Sequence, residues 1–104
     1  MFFQMIQADA IRLPANQATW ATDARRSTNN TQAVTATFSA HAIQSRVITG
    51  TITNPAAATT WLSHNANQST QRIHTSNTRG VDIRAQFRAS SNQLRFTSGG
   101  SWMP

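Results

Sequence analysis

Residues 81–89 alternate between apolar and polar side chains over nine consecutive positions. The apolar members are Val81, Ile83, Ala85, Phe87 and Ala89, and the polar members are Asp82, Arg84, Gln86 and Arg88. Successive side chains of a β-strand point to opposite faces, so this period of two predicts a strand with one face against a core. The segment therefore predicts a half-buried β-sheet.

Further segments predict the remainder of an all-β fold. Apolar residues recur at every second position from Val34 to Ala42, and residues 47–53 are rich in Thr and Ile until Asn54-Pro55 ends them. Residues 72–75 predict a short strand, whereas helical patterns after Pro14 are slight. We expect a small single-domain sandwich or barrel of about five to seven strands.

The N-terminal segment fits either a helix or a strand. A helical stripe would contain Phe2, Ile6, Ala10 and Leu13, and an alternating strand would contain Phe3, Met5, Ile11 and Leu13. Pro14 ends the segment in both cases. We therefore expect an extended or short helical N-terminal segment.

A chain of 104 residues is long enough for one modest core, and we expect one domain in three parts. Residues 1–33 are predicted to form an N-terminal segment and polar arm, residues 34–98 the β-domain core, and residues 99–104 a C-terminal tail. In that tail, Gly99-Gly100 is expected to be a flexible link, and Trp102 is expected to dock on a neighbouring subunit.

Arginine supplies all the fixed positive charge of the side chains. The sequence has nine Arg and no Lys, against three Asp and no Glu. The guanidinium group is planar, stays charged and offers paired donors that fit phosphate, carboxylate and aromatic faces. With a formal net charge of +6, this composition predicts an anionic partner.

Three of the arginines are predicted to lie together on a β-hairpin. If residues 90–93 form its loop, Arg88 faces Arg95, and Arg84 lies on the same face. Like charges at this spacing need an anionic counterpart, so these three residues are predicted to contact nucleic acid or an acidic partner. The alternative is a solvated strand face whose arginine stems cover apolar surface.

Two further places are candidates for contact with a partner. Arg25-Arg26 lies in the predicted polar arm, which is suited to reach nucleic acid or a neighbouring subunit. Trp61 is a second docking aromatic, able to stack on a base of single-stranded nucleic acid. The alternatives are a solvated dibasic pair and a tryptophan that anchors the core.

The residue types that are absent narrow the chemistry. The sequence has no Cys, Glu, Lys or Tyr, so His, Asp, Ser, Thr and Arg are the available catalytic groups. A metal-independent ribonuclease can work with His41 and His74 as acid and base and an arginine on the phosphorane. No spacing matches a metal loop, a nucleophile elbow or a phosphate loop, so no metal, cofactor or catalytic residue is assigned.

The predicted function is that of a non-enzymatic structural protein in a symmetric assembly, such as a small capsid, decoration or tail component of a virus or phage. The β-rich pattern and the 42 Thr, Ser, Asn and Gln residues favour it. Expected partners are further copies of this chain or other structural proteins, with nucleic acid at the arginines and no membrane. The alternatives are a stand-alone nucleic-acid-binding β-barrel and the ribonuclease. No signal peptide or membrane span is recognised, so the localisation stays open, a virion being implied by the leading hypothesis.

Overall fold

The computed structural model describes residues 6–51 and 53–104, with the backbone alone for residues 6–12 and 38. These residues form an all-β structure, as predicted, with ten strands. In chain order the strands are β1 (Ile6–Leu13), β2 (Trp20–Ala21), β3 (Arg25–Arg26), β4 (Thr31–Ser39), β5 (Ile43–Gly50), β6 (Pro55–Ala57), β7 (Leu62–His64), β8 (Thr70–Thr75), β9 (Asp82–Ala89) and β10 (Phe96–Met103). The count exceeds the expected range because β2, β3, β6 and β7 have only two or three residues, too few for an alternation to be visible.

The strands form two antiparallel sheets. The four-stranded sheet has the order β1-β10-β4-β8, and the six-stranded sheet has the order β2-β9-β5-β6, with β3 also on β9 and β7 also on β5. Both sheets contribute buried side chains to one core, among them Val34, Val47, Phe87 and Trp102. Across the described part of the chain, no helix is long and apolar enough to cross a membrane.

Strand β9 confirms the strongest strand prediction. Its Ile83, Ala85, Phe87 and Ala89 are buried. Val81, expected on the same face, precedes the strand and is 46% exposed. β9 pairs with β5 on one side and with β2 and β3 on the other, so it lies inside the six-stranded sheet.

The predicted hairpin between residues 81–89 and 94–97 is wrong. β9 and β10 belong to different sheets, and Arg88 is opposite Gln44 of β5 instead of Arg95. Leu94, expected in the core, is 84% exposed, and Arg95 is exposed before β10 begins. Both edges of β9 are occupied by other strands, and both edges of β10 pair with β1 and β4, so neither is free to pair with its neighbour in sequence.

The C-terminal segment is a central strand and not a tail. β10 continues to Met103 between β1 and β4, and Trp102 is 1% exposed in the core of its own chain. Gly100 lies opposite Ala36 beside a bulge, where a Cβ atom would overlap the Thr35 carbonyl oxygen. The glycine therefore permits close strand packing, and the expectation of a flexible link before an outward-docking Trp102 is corrected.

The N-terminal part is also more integrated than expected. β1 pairs with β10, so residues 6–13 adopt the extended alternative, while Phe2, Phe3 and Met5 lie outside the described residues. The predicted polar arm contains β2 and β3, and both of these strands pair with β9. β4 begins at Thr31, ahead of the domain boundary predicted at residue 34, because its first residues pair with β8.

Candidate anion-binding face

The outer face of the six-stranded sheet carries two glutamine–arginine pairs. In β5, Gln44 and Arg46 alternate with buried residues. In β9, the residues opposite them are Arg88 and Gln86, respectively. Directly opposed residues of antiparallel strands share a face, so the four polar side chains lie side by side.

Each arginine is fixed by the glutamine across the strand pair. The Arg46 Nε donates a hydrogen bond of 2.7 Å to Gln86 Oε1, and the Arg88 Nε donates one of 2.7 Å to Gln44 Oε1. The terminal nitrogens of both guanidinium groups have no protein acceptor among the described residues. Two donor pairs are thus oriented by the sheet and left for solvent or a ligand.

Trp61 lies against both guanidinium groups. The Cζ atoms of Arg46 and Arg88 are 4.4 Å and 4.3 Å from the centre of its ring. The position follows from the register of β7, in which Leu62 pairs with Ser45, so that Trp61 reaches the level of Arg46. Aromatic faces attract cations, and the indole therefore holds the two side chains near each other. We call Arg46, Trp61 and Arg88 the arginine–tryptophan cluster.

No carboxylate among the described side chains pairs with the arginines of the arginine–tryptophan cluster. Because both Cζ atoms lie within 4.4 Å of one ring centre, the two charges are at most about 9 Å apart, close to the Debye length at physiological salt. Burial lowers the pKa of Arg46, and the charge of Arg88 lowers it further. Among the side chains that the structure describes, the one ion pair joins Arg26 and Asp82 at 3.9 Å, away from the cluster.

The structure does not bring the three arginines predicted on the hairpin together. Arg84 is on the same face of β9 as Arg88, but its Nη1 donates a hydrogen bond of 2.9 Å to the Thr22 carbonyl oxygen. Its Nε is buried without an acceptor in the described residues. Arg84 therefore ties the segment after β2 to the sheet, and Arg95 lies outside the strands. Of the predicted set, Arg88 alone belongs to the cluster.

Arg46 was missed by the sequence analysis. The pattern that could have identified Arg46 is the alternation of inward and outward residues from Ile43 to Val47. Ser45 at an inward position and the apolar Ile48 after Val47 make that alternation hard to recognise.

Arg25 and Arg26 are exposed on β3 opposite Ile83 and Asp82, and they do not reach outward on a free arm.

The predicted pairing of His41 with His74 is also corrected. His41 is exposed in the turn between β4 and β5, and its ring packs edge-on against Phe96 at a centroid distance of 4.9 Å. His74 is 1% exposed and shares a hydrogen-bond partner, Ser45, with His64, which is 0% exposed. The two histidines that meet are thus His64 and His74, inside the protein.

The described residues contain no group of three His, Cys, Asp or Glu side chains placed to hold a metal ion. The chemistry of the outer face is that of fixed cations beside an aromatic ring, which suits anion binding.

Comparisons with models of known protein families, with curated proteins and with solved structures find no match to this chain.

Proposed function

We propose that this protein is a non-enzymatic structural subunit that binds nucleic acid through the arginine–tryptophan cluster, within a symmetric assembly such as a virus or phage particle. The observation that carries the proposal is the pair of guanidinium groups, Arg46 and Arg88, held within 4.4 Å of the Trp61 ring with no carboxylate partner among the described side chains. A small two-sheet sandwich supplies a rigid support for such a contact.

Phosphate is the ligand group that fits this arrangement. A guanidinium whose Nε is already bonded still presents its terminal nitrogens, and two terminal donors match two phosphate oxygens. The glutamines and Trp61 hold the side chains before binding, so less conformational entropy is lost when a ligand arrives. The guanidinium group of arginine is generally charged throughout the physiological pH range, so we expect a phosphate contact of this kind to be independent of pH there.

The residues of the face favour binding over catalysis. Glutamine, arginine and tryptophan offer neither a nucleophile nor a group that exchanges protons near neutral pH. The histidines of the ribonuclease hypothesis do not share a site, since His41 is exposed and His74 is buried. The ribonuclease alternative therefore has no geometric support.

The assembly part of the proposal depends on strand edges and polar surface. The four-stranded sheet ends in β1 and β8, and an edge strand is able to pair with a strand of another subunit. Light scattering of the purified protein across a concentration range measures its mass. We expect species larger than one chain; a monomer at all concentrations that still binds nucleic acid would support the stand-alone binding protein instead.

The binding part is tested by fluorescence anisotropy with a labelled single-stranded oligonucleotide. We expect the double variant Arg46→Gln/Arg88→Gln to bind at least about tenfold more weakly than the parent protein. Each phosphate contact with single-stranded nucleic acid adds roughly 0.7 to the slope of log affinity against log salt, so the variant should lose about 1.4 from that slope.

Arg25→Gln/Arg26→Gln is the matched control, because it removes the same charge from exposed positions on β3. This control variant should keep most of the affinity of the parent protein and most of the slope of log affinity against log salt. Equal losses in the two double variants would show that net charge alone drives binding, and this result would overturn the assignment to the cluster. Displacement of the oligonucleotide by an acidic peptide at equal charge concentration would point to a protein partner.

A further inference from the structure

A line of five polar groups crosses the core beside β7 and β8. Thr59 Oγ1 is 3.1 Å from His74 Nδ1, and His74 Nε2 is 2.9 Å from Ser45 Oγ. Ser45 Oγ is 2.7 Å from His64 Nε2, and His64 Nδ1 is 3.3 Å from the Thr70 carbonyl oxygen. We call this line the His–Ser–His network. It joins β5 and β7 of the six-stranded sheet to β8 of the four-stranded sheet.

The chemistry of the end groups fixes the direction of every hydrogen bond. The Thr70 carbonyl oxygen accepts only, so His64 carries its hydrogen on Nδ1. In the neutral ring, His64 Nε2 then accepts from the Ser45 hydroxyl. The Ser45 oxygen in turn accepts from His74 Nε2, and His74 Nδ1 accepts from the Thr59 hydroxyl. All four bonds are made when both imidazole rings are neutral.

Protonation of His64 breaks a hydrogen bond of the network, whereas protonation of His74 does not. A proton on His74 Nδ1 is tolerated geometrically, because the Thr59 hydroxyl also lies 3.3 Å from the Thr60 carbonyl oxygen and can turn to it. A proton on His64 Nε2 leaves the Ser45 oxygen between two N–H donors and its own hydroxyl without an acceptor. Ser45 is buried, so that lost hydrogen bond is not replaced by water.

Among the side chains that the structure describes, no carboxylate acts on the pKa of either ring. The charged side chain that acts on His64 is Arg72 of β8, whose Nε donates a hydrogen bond of 2.8 Å to the Ser63 carbonyl oxygen of β7. The neighbours on β4 and β5 are the uncharged Gln32 and Ser45. Burial lowers the pKa of His64, and burial with the nearby His64 lowers the pKa of His74 to about 4.

Protons have a short route to the network. A surface depression of about 350 Å³ is lined by Thr59, Leu62, Ile73 and His74. The depression places solvent next to the Thr59 end, although the rings themselves are buried. An acidic medium can therefore act on the folded protein without prior unfolding.

We propose that the His–Ser–His network is an acid-sensitive switch that keeps β7 and β8 joined at neutral pH and releases them when both histidines become charged. The two rings share one serine oxygen, so the second proton places two cations on either side of it. Their repulsion, and that of Arg72, favours separation of the strands.

Hydrogen exchange followed by NMR on the whole protein tests the switch. The opening constant of β7 and β8, corrected for the intrinsic exchange rate, should rise about tenfold per pH unit for each proton taken up as the pH falls from about 6.5 toward 4. The amides that pair β5 with β9 should keep their protection over that range. Loss of protection at the β5–β9 amides together with that at β7 and β8 would overturn a local switch.

The variants His74→Gln and His41→Gln provide a matched comparison. A glutamine at position 74 can donate to Ser45 and accept from Thr59 but cannot take a proton, so the pH slope should fall by about one proton. The exposed His41 lies outside the network, and His41→Gln should keep the slope of the parent protein.

Ring ¹⁵N chemical shifts of the parent protein give a second readout that needs no variant. We expect the Nδ1–H tautomer at His64 and the Nε2–H tautomer at His74 at pH 7.5, with both rings neutral there. Folded protein in which both rings titrate near the ordinary histidine value, while β7 and β8 stay protected, would contradict the proposal.

Discussion

Gln44 and Arg88 lie directly opposite each other on β5 and β9, and Gln44 Oε1 accepts a hydrogen bond of 2.7 Å from Arg88 Nε. The adjacent outward-facing pair repeats this bond with the residue types exchanged, since Arg46 donates to Gln86. A glutamine accepts the hydrogen bond without cancelling the positive charge, as a carboxylate would. The two pairs therefore position the guanidinium groups and leave their charge available to a ligand.

Gln44→Ala should weaken nucleic-acid binding although the net charge of the protein is unchanged. Loss of the Nε bond frees Arg88 to rotate, and we expect a cost of about 1 kcal/mol, or roughly fivefold in the dissociation constant. Fluorescence anisotropy measures it. Gln71→Ala is the control, because Gln71 bonds to Thr35 on the other sheet. Unchanged affinity in Gln44→Ala would contradict a positioning role.

Trp61→Leu should lower the free energy of unfolding by about 1–2 kcal/mol, because two cation–π contacts are lost while an apolar side chain remains. Urea denaturation measures the change, and Trp61→Phe should lose less because it keeps an aromatic face. A double-mutant cycle with Arg46→Gln separates the contact from general effects. A coupling energy of zero would show that the contact of Arg46 with the indole contributes nothing to the free energy of unfolding.

Gly100→Ala should destabilise the protein by about 3 kcal/mol or more, because the new methyl group overlaps the Thr35 carbonyl oxygen in the centre of the four-stranded sheet. Gly80→Ala is the comparison: that residue has a φ of +82° and no atom within 4 Å of an added Cβ. It should lose only about 1 kcal/mol, from backbone strain. Similar urea midpoints for the two variants would argue against close packing at Gly100.

Trp102→Ala should cost about 3–5 kcal/mol, the range for removal of a large aromatic side chain from a core. Leu94→Ala should change stability by less than about 0.5 kcal/mol, because Leu94 is 84% exposed. Thermal unfolding followed by circular dichroism distinguishes the two. A stable Trp102→Ala variant would mean that Trp102 lies outside the core in solution.

Local patterns in the sequence were sufficient to predict strand β9 and the all-β class of the protein. The alternation from Ile83 to Ala89 is set by the pleat of one strand, and each of its apolar members is buried. Pairing is a property of two strands, and the choice of partner for β9 depended on β5, some forty residues earlier. For this reason the hairpin with Arg95 was wrong, although its first strand exists as β9 and its second overlaps the start of β10 at Phe96.

In the candidate site, too, the sequence predicts one residue and does not reveal another. Arg88 was identified because its strand alternates clearly, whereas Arg46 lies in a strand whose inward face includes Ser45. Ser45 is buried because it bonds to His64 and His74, and neither contact has a signature in sequence spacing. Buried polar groups satisfy one another across the core, so a hydrophobicity pattern does not reveal them.

The position of β10 between β1 and β4 has a consequence for synthesis. When the ribosome has made the chain as far as Ala89, β1, β4 and β8 exist but the strand that separates β1 from β4 does not. The facing edges of β1 and β4 are then open to strands of other nascent chains. The partner of Ile6 is Trp102, so this sheet can be completed only after the ribosome has made the chain as far as Trp102.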